Sequence, residues 1–297
     1  MVSVEKIRTG LTETGYIPSD QIVFSVFGTV NGRTPLLIEG DPGTGKTSLA
    51  KAVGRMLGAD LYRVQFYEGL TPEKILYDYD YQKMLLTIES IKSTLSKKLS
   101  GKSIDDAIDY VHDIDFYGKD YLIQRPILKA LTSEKPAVLL LDEVDKASEE
   151  IEYTLLEMLD EFSITIPQYG TITAETENRP MVFLTSNNYR DLSEALKRRC
   201  NYLYIERKTE EEMFNILMMS VDADSTLLRR IAACLHKMDD MSLRHHPSIA
   251  EGIEWAKQYV ALSEETKAST PIENLIYTIA KDKHDIDLIR NQVAKAS

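Results

Sequence analysis

Gly40-Asp41-Pro42-Gly43-Thr44-Gly45-Lys46-Thr47 decides how this chain is read. A short apolar run, Pro35-Leu-Leu-Ile-Glu39, precedes it, and a helical pattern from Lys46 to Leu57 follows. Strand, glycine-rich loop and helix in that order are the setting in which G-x-x-x-x-G-K-[ST] cradles phosphates. The glycines let backbone N–H groups turn inward around phosphate oxygens, and the helix starting near Lys46 points its positive end at them. The expected nucleotide contacts are Asp41, Pro42, Gly43, Thr44, Gly45, Lys46, Thr47 and Ser48. Lys46 is expected to reach the β- and γ-phosphates of ATP, and Thr47 to offer its hydroxyl to Mg²⁺.

The second decisive stretch is Ala137-Val-Leu-Leu-Leu-Asp142-Glu143. A continuous apolar run of this length fits a parallel strand buried on both faces. It delivers two carboxylates at its C-terminal end, the edge where open α/β sheets bind ligands. Asp142 is the expected second Mg²⁺ residue, and Glu143 is expected to orient and deprotonate the attacking water. The next strand, Met181–Thr185, ends in Ser186-Asn187-Asn188. An amide there could place the hydrolytic water, although an asparagine-rich turn explains the same residues. Leu192-Ser-Glu-Ala-Leu-Lys-Arg198-Arg199-Cys200 reads as a helix with two arginines at its end. They suit either a solvated cap complementing the helix dipole or an arginine finger reaching a neighbouring subunit.

Leu61–Gln65 and Tyr202–Ile205 supply further strands, and Ser148 to Glu161 a helix with Ile151, Leu155, Leu156 and Leu159 on one face. Strands alternating with helices predict a three-layer α/β domain with a mostly parallel sheet. After about Glu206 strand patterns cease. Thr209-Glu-Glu-Glu212 is a capping box, and helical patterns follow at Thr226–Asp239, Ile249–Leu262 and Ile272–Ala280. The expected division is a nucleotide-binding domain over 1–206 and a small helical lid over 207–297.

With 297 residues and a formal net charge of −12, the chain should repel nucleic acid unless its positive charge is concentrated. No apolar run is long enough to span a bilayer and no signal peptide is evident, so a cytoplasmic location is expected. Two cysteines, Cys200 and Cys234, suit a reducing compartment. Cys234, His236 and Met238 alternate, but residues two apart do not share a helix face, so a buried cysteine with surface neighbours is expected rather than a metal site. His245-His246 is equally weak as one.

These motifs in this order resemble the AAA+ ATPases, and in detail the MoxR family, over roughly residues 15–290. The resemblance rests on Pro35–Leu57, Val138–Ala147 and Met181–Cys200. It implies that Asn187 is the sensor-1 asparagine and that Arg199, with Arg198 as second choice, is the trans-acting arginine of a ring, in the family commonly a hexamer. Between Gln65 and Ala137 lie roughly 70 residues, more than a plain crossover needs. MoxR-like proteins carry an insertion there, expected here over about 78–124, and Ser163–Thr173 is similar to the hairpin they place before sensor 1. The resemblance further implies a protein client for these two elements. One departure stands out: Arg244-His-His-Pro-Ser-Ile-Ala-Glu251 has no arginine at the helix start, where the family has its sensor-2 arginine. The stretch Pro247–Ala256 resembles the branch associated with carbon monoxide dehydrogenase maturation, which implies a metalloenzyme client and a von Willebrand factor A domain partner. Two other readings stay open: a nucleotide-dependent switch with incidental turnover, and a nucleic-acid motor or loader.

Overall fold

The computed structural model describes residues 1–98, 115–266 and 272–296. The chain begins with α1 (Val4–Glu13) and α2 (Asp20–Gly32), then β1 (Leu36–Glu39), α3 (Lys46–Leu57) and β2 (Asp60–Gln65). A short helix α4 (Pro72–Ile75), β3 (Tyr77–Tyr79), α5 (Tyr81–Lys98), β4 (Leu122–Gln124) and α6 (Pro126–Leu131) lead to β5 (Ala137–Asp142). Next come α7 (Glu149–Glu161), the hairpin β6 (Ser163–Ile166) and β7 (Gly170–Thr173), β8 (Met181–Ser186), α8 (Glu194–Lys197) and β9 (Asn201–Tyr204). The remainder is helical: α9 (Glu210–Ser220), α10 (Ser225–Asp239), α11 (Ile249–Thr266), a 3₁₀ segment (Ile272–Thr278) and α12 (Lys283–Ala296).

The main sheet runs β2-β5-β8-β1-β9, with every pair parallel. Because side chains alternate across a strand, each central strand feeds two cores. Leu36, Ile38, Val138, Leu140, Met181 and Phe183 pack with α1, α2 and α3 on one face. Leu37, Leu139, Leu141, Val182 and Leu184 pack with α6, α7 and the β6–β7 hairpin on the other. Burying each such side chain stabilises the fold by about 1.5–3 kcal/mol relative to exposure. This double burial is why β5 reads as an unbroken apolar run, and it makes the expected three-layer α/β architecture.

Register then places the chemistry. Gln65 pairs with Asp142, Leu141 with Leu184, and Glu39 with Ser186. The C-terminal ends of β1, β5 and β8 therefore lie side by side, so the residues that follow each strand converge on one edge of the sheet.

Local chemistry sets the helix boundaries. Ser148 accepts the Ile151 N–H at the start of α7, and Glu149, Glu150 and Glu152 complement the positive end of its dipole. Thr209 and Glu212 form the capping box expected for α9. The helical C-terminal region has its own core, built on Leu217, Leu228, Ile231, Trp255, Ile276 and Ile289. Cys234 belongs to it and so does Met238, which is fully buried rather than a surface neighbour. The reason is spacing: residues four apart share a helix face.

Two further expectations are shortened. The helix expected over Leu192–Cys200 is confined to α8, because the chain must turn into β9, where the Asn201 N–H donates to the Pro35 carbonyl. The segment after Ile272 is a 3₁₀ stretch kinked at Leu275 instead of a regular helix. The segment expected as an insertion is closed at its base by antiparallel β3 and β4, and the Tyr79 hydroxyl donates to the Pro167 carbonyl at the tip of the β6–β7 hairpin. The middle of that segment, residues 99–114, lies outside the described residues. Among the described residues no helix is long and apolar enough to cross a membrane.

Candidate nucleotide site

The loop after β1 is shaped by two glycines that no other residue could replace without strain. Gly40 has φ +151°, and a Cβ there would collide with the backbone carbonyl oxygen of Ile205 at the end of β9. Gly43 has φ +82°, and a Cβ there would sit 2.7 Å from the Ser248 Cβ, just ahead of α11. The phosphate loop is thus clamped between the sheet and the helical region. Gly40→Ala combines a disfavoured dihedral with a backbone clash that no side-chain rotation relieves. It is expected to destabilise the fold by about 2 kcal/mol or more, read as a lower urea midpoint.

Lys46, the first residue of α3, is buried, and its ammonium donates to the carbonyl oxygens of Gly40 (2.6 Å) and Asp41 (2.7 Å). Burial lowers its pKa, while Asp41, Asp145, Asp142 and Glu143 oppose that shift. Four carboxylates thus act on Lys46, whose ammonium is curled over its own loop, where charged phosphate oxygens would satisfy it better than the carbonyls do.

From β5 comes Asp142, 2% exposed. Its Oδ1 accepts from the hydroxyls of Thr47 (2.7 Å) and Thr185 (2.6 Å). Its Oδ2 accepts from Arg63 on β2, through Nε (2.9 Å) and a terminal nitrogen (2.5 Å). A hydroxyl and a carboxylate oxygen in contact are hard donors of the kind Mg²⁺ prefers, so Thr47 and Asp142 fit the ion. Arg63 escaped the sequence reading. It lies within β2 two residues before the strand ends, and only the β2–β5 register brings it beside Asp142.

Glu143 follows in the left-handed conformation, φ +58°. For a residue with a Cβ this costs on the order of 1–2 kcal/mol, and such strain gathers at functional sites. The strained turn is fixed by the Glu143 N–H, which donates to the Thr185 hydroxyl at 2.9 Å. The Glu143 carboxylate accepts from the Asn187 amide at 3.3 Å and from the Lys146 ammonium at 2.7 Å. Asn187 and Glu143, 44 residues apart in sequence, thus meet across β5 and β8. Asp145 organises this meeting. Fully buried, it accepts the backbone N–H groups of Asn187 (3.0 Å) and Tyr189 (2.8 Å) and fixes the loop after β8. A lone acid two positions past Glu143 gives no sequence signal for that role.

Arg199 lies away from these residues, bonded to the Ala195 carbonyl (2.9 Å) and to Asp160 on α7 (2.8 Å), while Arg198 is exposed. The buried Glu152 steadies this segment by accepting from Arg190 and from the Ser193 N–H. Beside it, burial pushes the Cys200 thiol up to about 12, so that cysteine stays protonated. Arg244 donates to Asp282. It is Arg207 that bonds to the phosphate loop, bridging Asp41 (2.6 Å) to Asp239 on α10 (2.9 Å). Arg207 was not singled out from sequence, and its position just past β9 offers no motif. Tyr16 was also missed. Its ring approaches Gly45, its hydroxyl is buried without a partner, and burial followed by Glu212 pushes the phenol up.

Asp282, His284 and Asp285 cluster closely, but both Asp285 oxygens already accept backbone N–H groups, from Arg244 and His245 at 3.0 Å each. The cluster acts as an anchor for that turn.

Comparison with known proteins bears on what this arrangement belongs to. No curated protein matches the chain. Among solved structures, a single-residue variant of Thermotoga maritima RuvB is 16% identical with a TM-score of 0.48, covering 94% of this chain and 70% of that one. Thermotoga maritima RuvB described as a Holliday junction branch migration motor is 15% identical with a TM-score of 0.47, covering 99% and 70%. Likenesses this distant carry no functional argument. The family model for the AAA domain, dynein-related subfamily, matches residues 35–200, more than half of the chain and the whole stretch from β1 to the arginines after α8. The chain belongs to the dynein-related subfamily of AAA domains, and it is an ATPase.

Proposed function

We propose that this ATPase works as a ring that remodels a partner protein, with each site completed by the next subunit. The observation that carries the hydrolytic reading is the contact set at the sheet edge. Thr47 touches Asp142, and Asn187 touches Glu143, beside a buried Lys46. Thr47 and Asp142 would hold Mg²⁺, which supplies positive charge against the phosphate oxygens. Lys46 and the loop N–H groups bind the β- and γ-phosphates. Glu143, steadied by Asn187, takes a proton from water as the water oxygen bonds to the γ-phosphorus. The bond from that phosphorus to the β–γ bridging oxygen breaks, and ADP leaves with its electron pair.

In this reading residues 207–297 form a lid domain on the 1–206 domain. Arg207 links lid to phosphate loop at the hinge, where the family's sensor-2 arginine is missing from the start of α11. Arg199 releases Asp160 and reaches the γ-phosphate of the neighbouring subunit, so an isolated chain lacks part of its site. The insertion and the β6–β7 hairpin, joined through Tyr79 and Pro167, act on the client. The resemblance of Pro35–Leu57, Val138–Ala147 and Met181–Cys200 supports placing the chain in the MoxR family, with a hexameric ring and a von Willebrand factor A domain partner. That of Pro247–Ala256 supports the branch linked to carbon monoxide dehydrogenase maturation, with a metalloenzyme client.

ATPase rate per chain, measured across a wide protein concentration range, tests the shared site. A specific activity that climbs with concentration and saturates is expected. A flat, substantial rate on chains shown to be monomeric would remove Arg199 from the mechanism.

A further inference from the structure

Each oxygen of the Glu143 carboxylate accepts one hydrogen bond. Oε1 accepts from the Asn187 amide at 3.3 Å, and Oε2 accepts from the Lys146 ammonium at 2.7 Å. Each oxygen keeps a further lone pair for a water, but a cation bonded to the carboxylate weakens its pull on a proton. The Asn187 contact fits catalysis, since an amide can hold the carboxylate and a water together. The Lys146 contact does the opposite.

The backbone brings the second pair together. Val144–Lys146 is a single 3₁₀ turn capped by Glu143, and the Lys146 N–H donates to the Glu143 carbonyl at 3.0 Å. The turn brings Lys146 back beside Glu143, and the two side chains meet at 2.7 Å. The Lys146 side chain is 37% exposed and Glu143 30%, so the pair is screened by water and can open. Its hydrogen bond to Glu143 is the largest cause of a raised Lys146 pKa, which keeps the ammonium charged at neutral pH.

We propose that Lys146 is a built-in restraint on turnover: it holds Glu143 in a resting position, and each hydrolytic event requires this ion pair to open. Lys146 is thus a positioning residue with a negative effect on rate. Nothing in the restraint touches the phosphate seat, so it acts on kcat and leaves nucleotide affinity alone. The inference rests on Glu143 being the base.

The test is steady-state ATPase kinetics on the full chain at fixed protein concentration, for Lys146→Met, Lys146→Gln and Lys146→Arg, alone and with Glu143→Gln. Met and Gln keep the length of the side chain and remove the charge, at a site exposed enough to tolerate either. Both should raise kcat roughly two- to fivefold, the factor an exposed ion pair is worth, with KM for ATP unchanged. Lys146→Arg should keep the wild-type rate. In the Glu143→Gln background none of the three should alter the residual rate. An unchanged or lower kcat in folded Met and Gln variants overturns the restraint while leaving Glu143 as the base. Near-normal turnover in Glu143→Gln alone overturns the reading of Glu143 itself, and the two failures are separate results.

Discussion

Lys46→Ala is expected to weaken ATP binding at least a hundredfold, measured by calorimetric titration or by a fluorescent nucleotide. The residue opens α3 at the end of the phosphate loop, and its buried ammonium curls back onto two carbonyl oxygens of that loop. Exchanging neutral carbonyls for charged phosphate oxygens strengthens both hydrogen bonds. Each charge-assisted bond to phosphate is worth about 1.5–3 kcal/mol, so the two are worth roughly 3–6 kcal/mol before the carbonyl bonds given up are subtracted. That leaves a net loss of about the 2.7 kcal/mol that a hundredfold represents. The ammonium also offsets the charge of four carboxylates that act on it, Asp41, Asp142, Glu143 and Asp145. Without it the triphosphate would enter a site of its own sign. The fold should persist, because α3 packs through Leu49, Ala50, Ala52 and Val53, which the substitution leaves alone. An affinity within a fewfold of wild type, on protein with an unchanged circular dichroism spectrum, would sink the assignment of this loop to the phosphates.

Much of this site was legible before any coordinates because its motifs are local. A phosphate loop is a continuous stretch whose glycines and lysine act through their own backbone, and β5 announces itself by being apolar on both faces. For Asn187 the residues left two readings open, and the family resemblance favoured the sensor. Its contact with Glu143 depends on β5 and β8 being neighbours. The residues that escaped all act across sequence. Arg63 needs the β2–β5 register, Asp145 needs the loop after β8 folded against it, and Arg207 needs α10 to bring Asp239 beside the phosphate loop. Each is a charged residue inside a stretch that reads as ordinary strand, turn or linker, and its partner lies 32 to 166 residues away. Period-based reading also overextended the helix after Leu192, because a pattern of apolar spacing does not reveal that the chain has to join β9 at once. In the helical region the same periodicity worked well for α10 and α11, where an apolar stripe has a core to meet.

Glu143→Gln should bind ATP as well as wild type and hydrolyse it about a hundred to ten thousand times more slowly, the range that a positioned general base supplies. The substitution keeps the side chain's size, and one carboxamide oxygen remains to accept from Asn187 or Lys146. The strained turn is fixed by the backbone N–H bond to Thr185, which the change does not touch. Geometry is therefore retained while the proton acceptor is lost. Binding is expected to be insulated because, in the proposed reading, Lys46 and the loop seat the phosphates and Thr47 and Asp142 hold Mg²⁺. Asp142 keeps its own hydroxyl and guanidinium partners, none of which is Glu143. The discriminating experiment pairs an affinity titration with a single-turnover rate on the same preparation. Tight binding with a rate lowered by two or more orders of magnitude separates the base from the seat. A rate within tenfold of wild type would mean the water is activated by something other than Glu143, and the contact with Asn187 would then be structural. If affinity and rate fell together, the carboxylate would have to be counted among the groups that hold the nucleotide, contrary to its separation from Lys46 and Thr47 in the contact set.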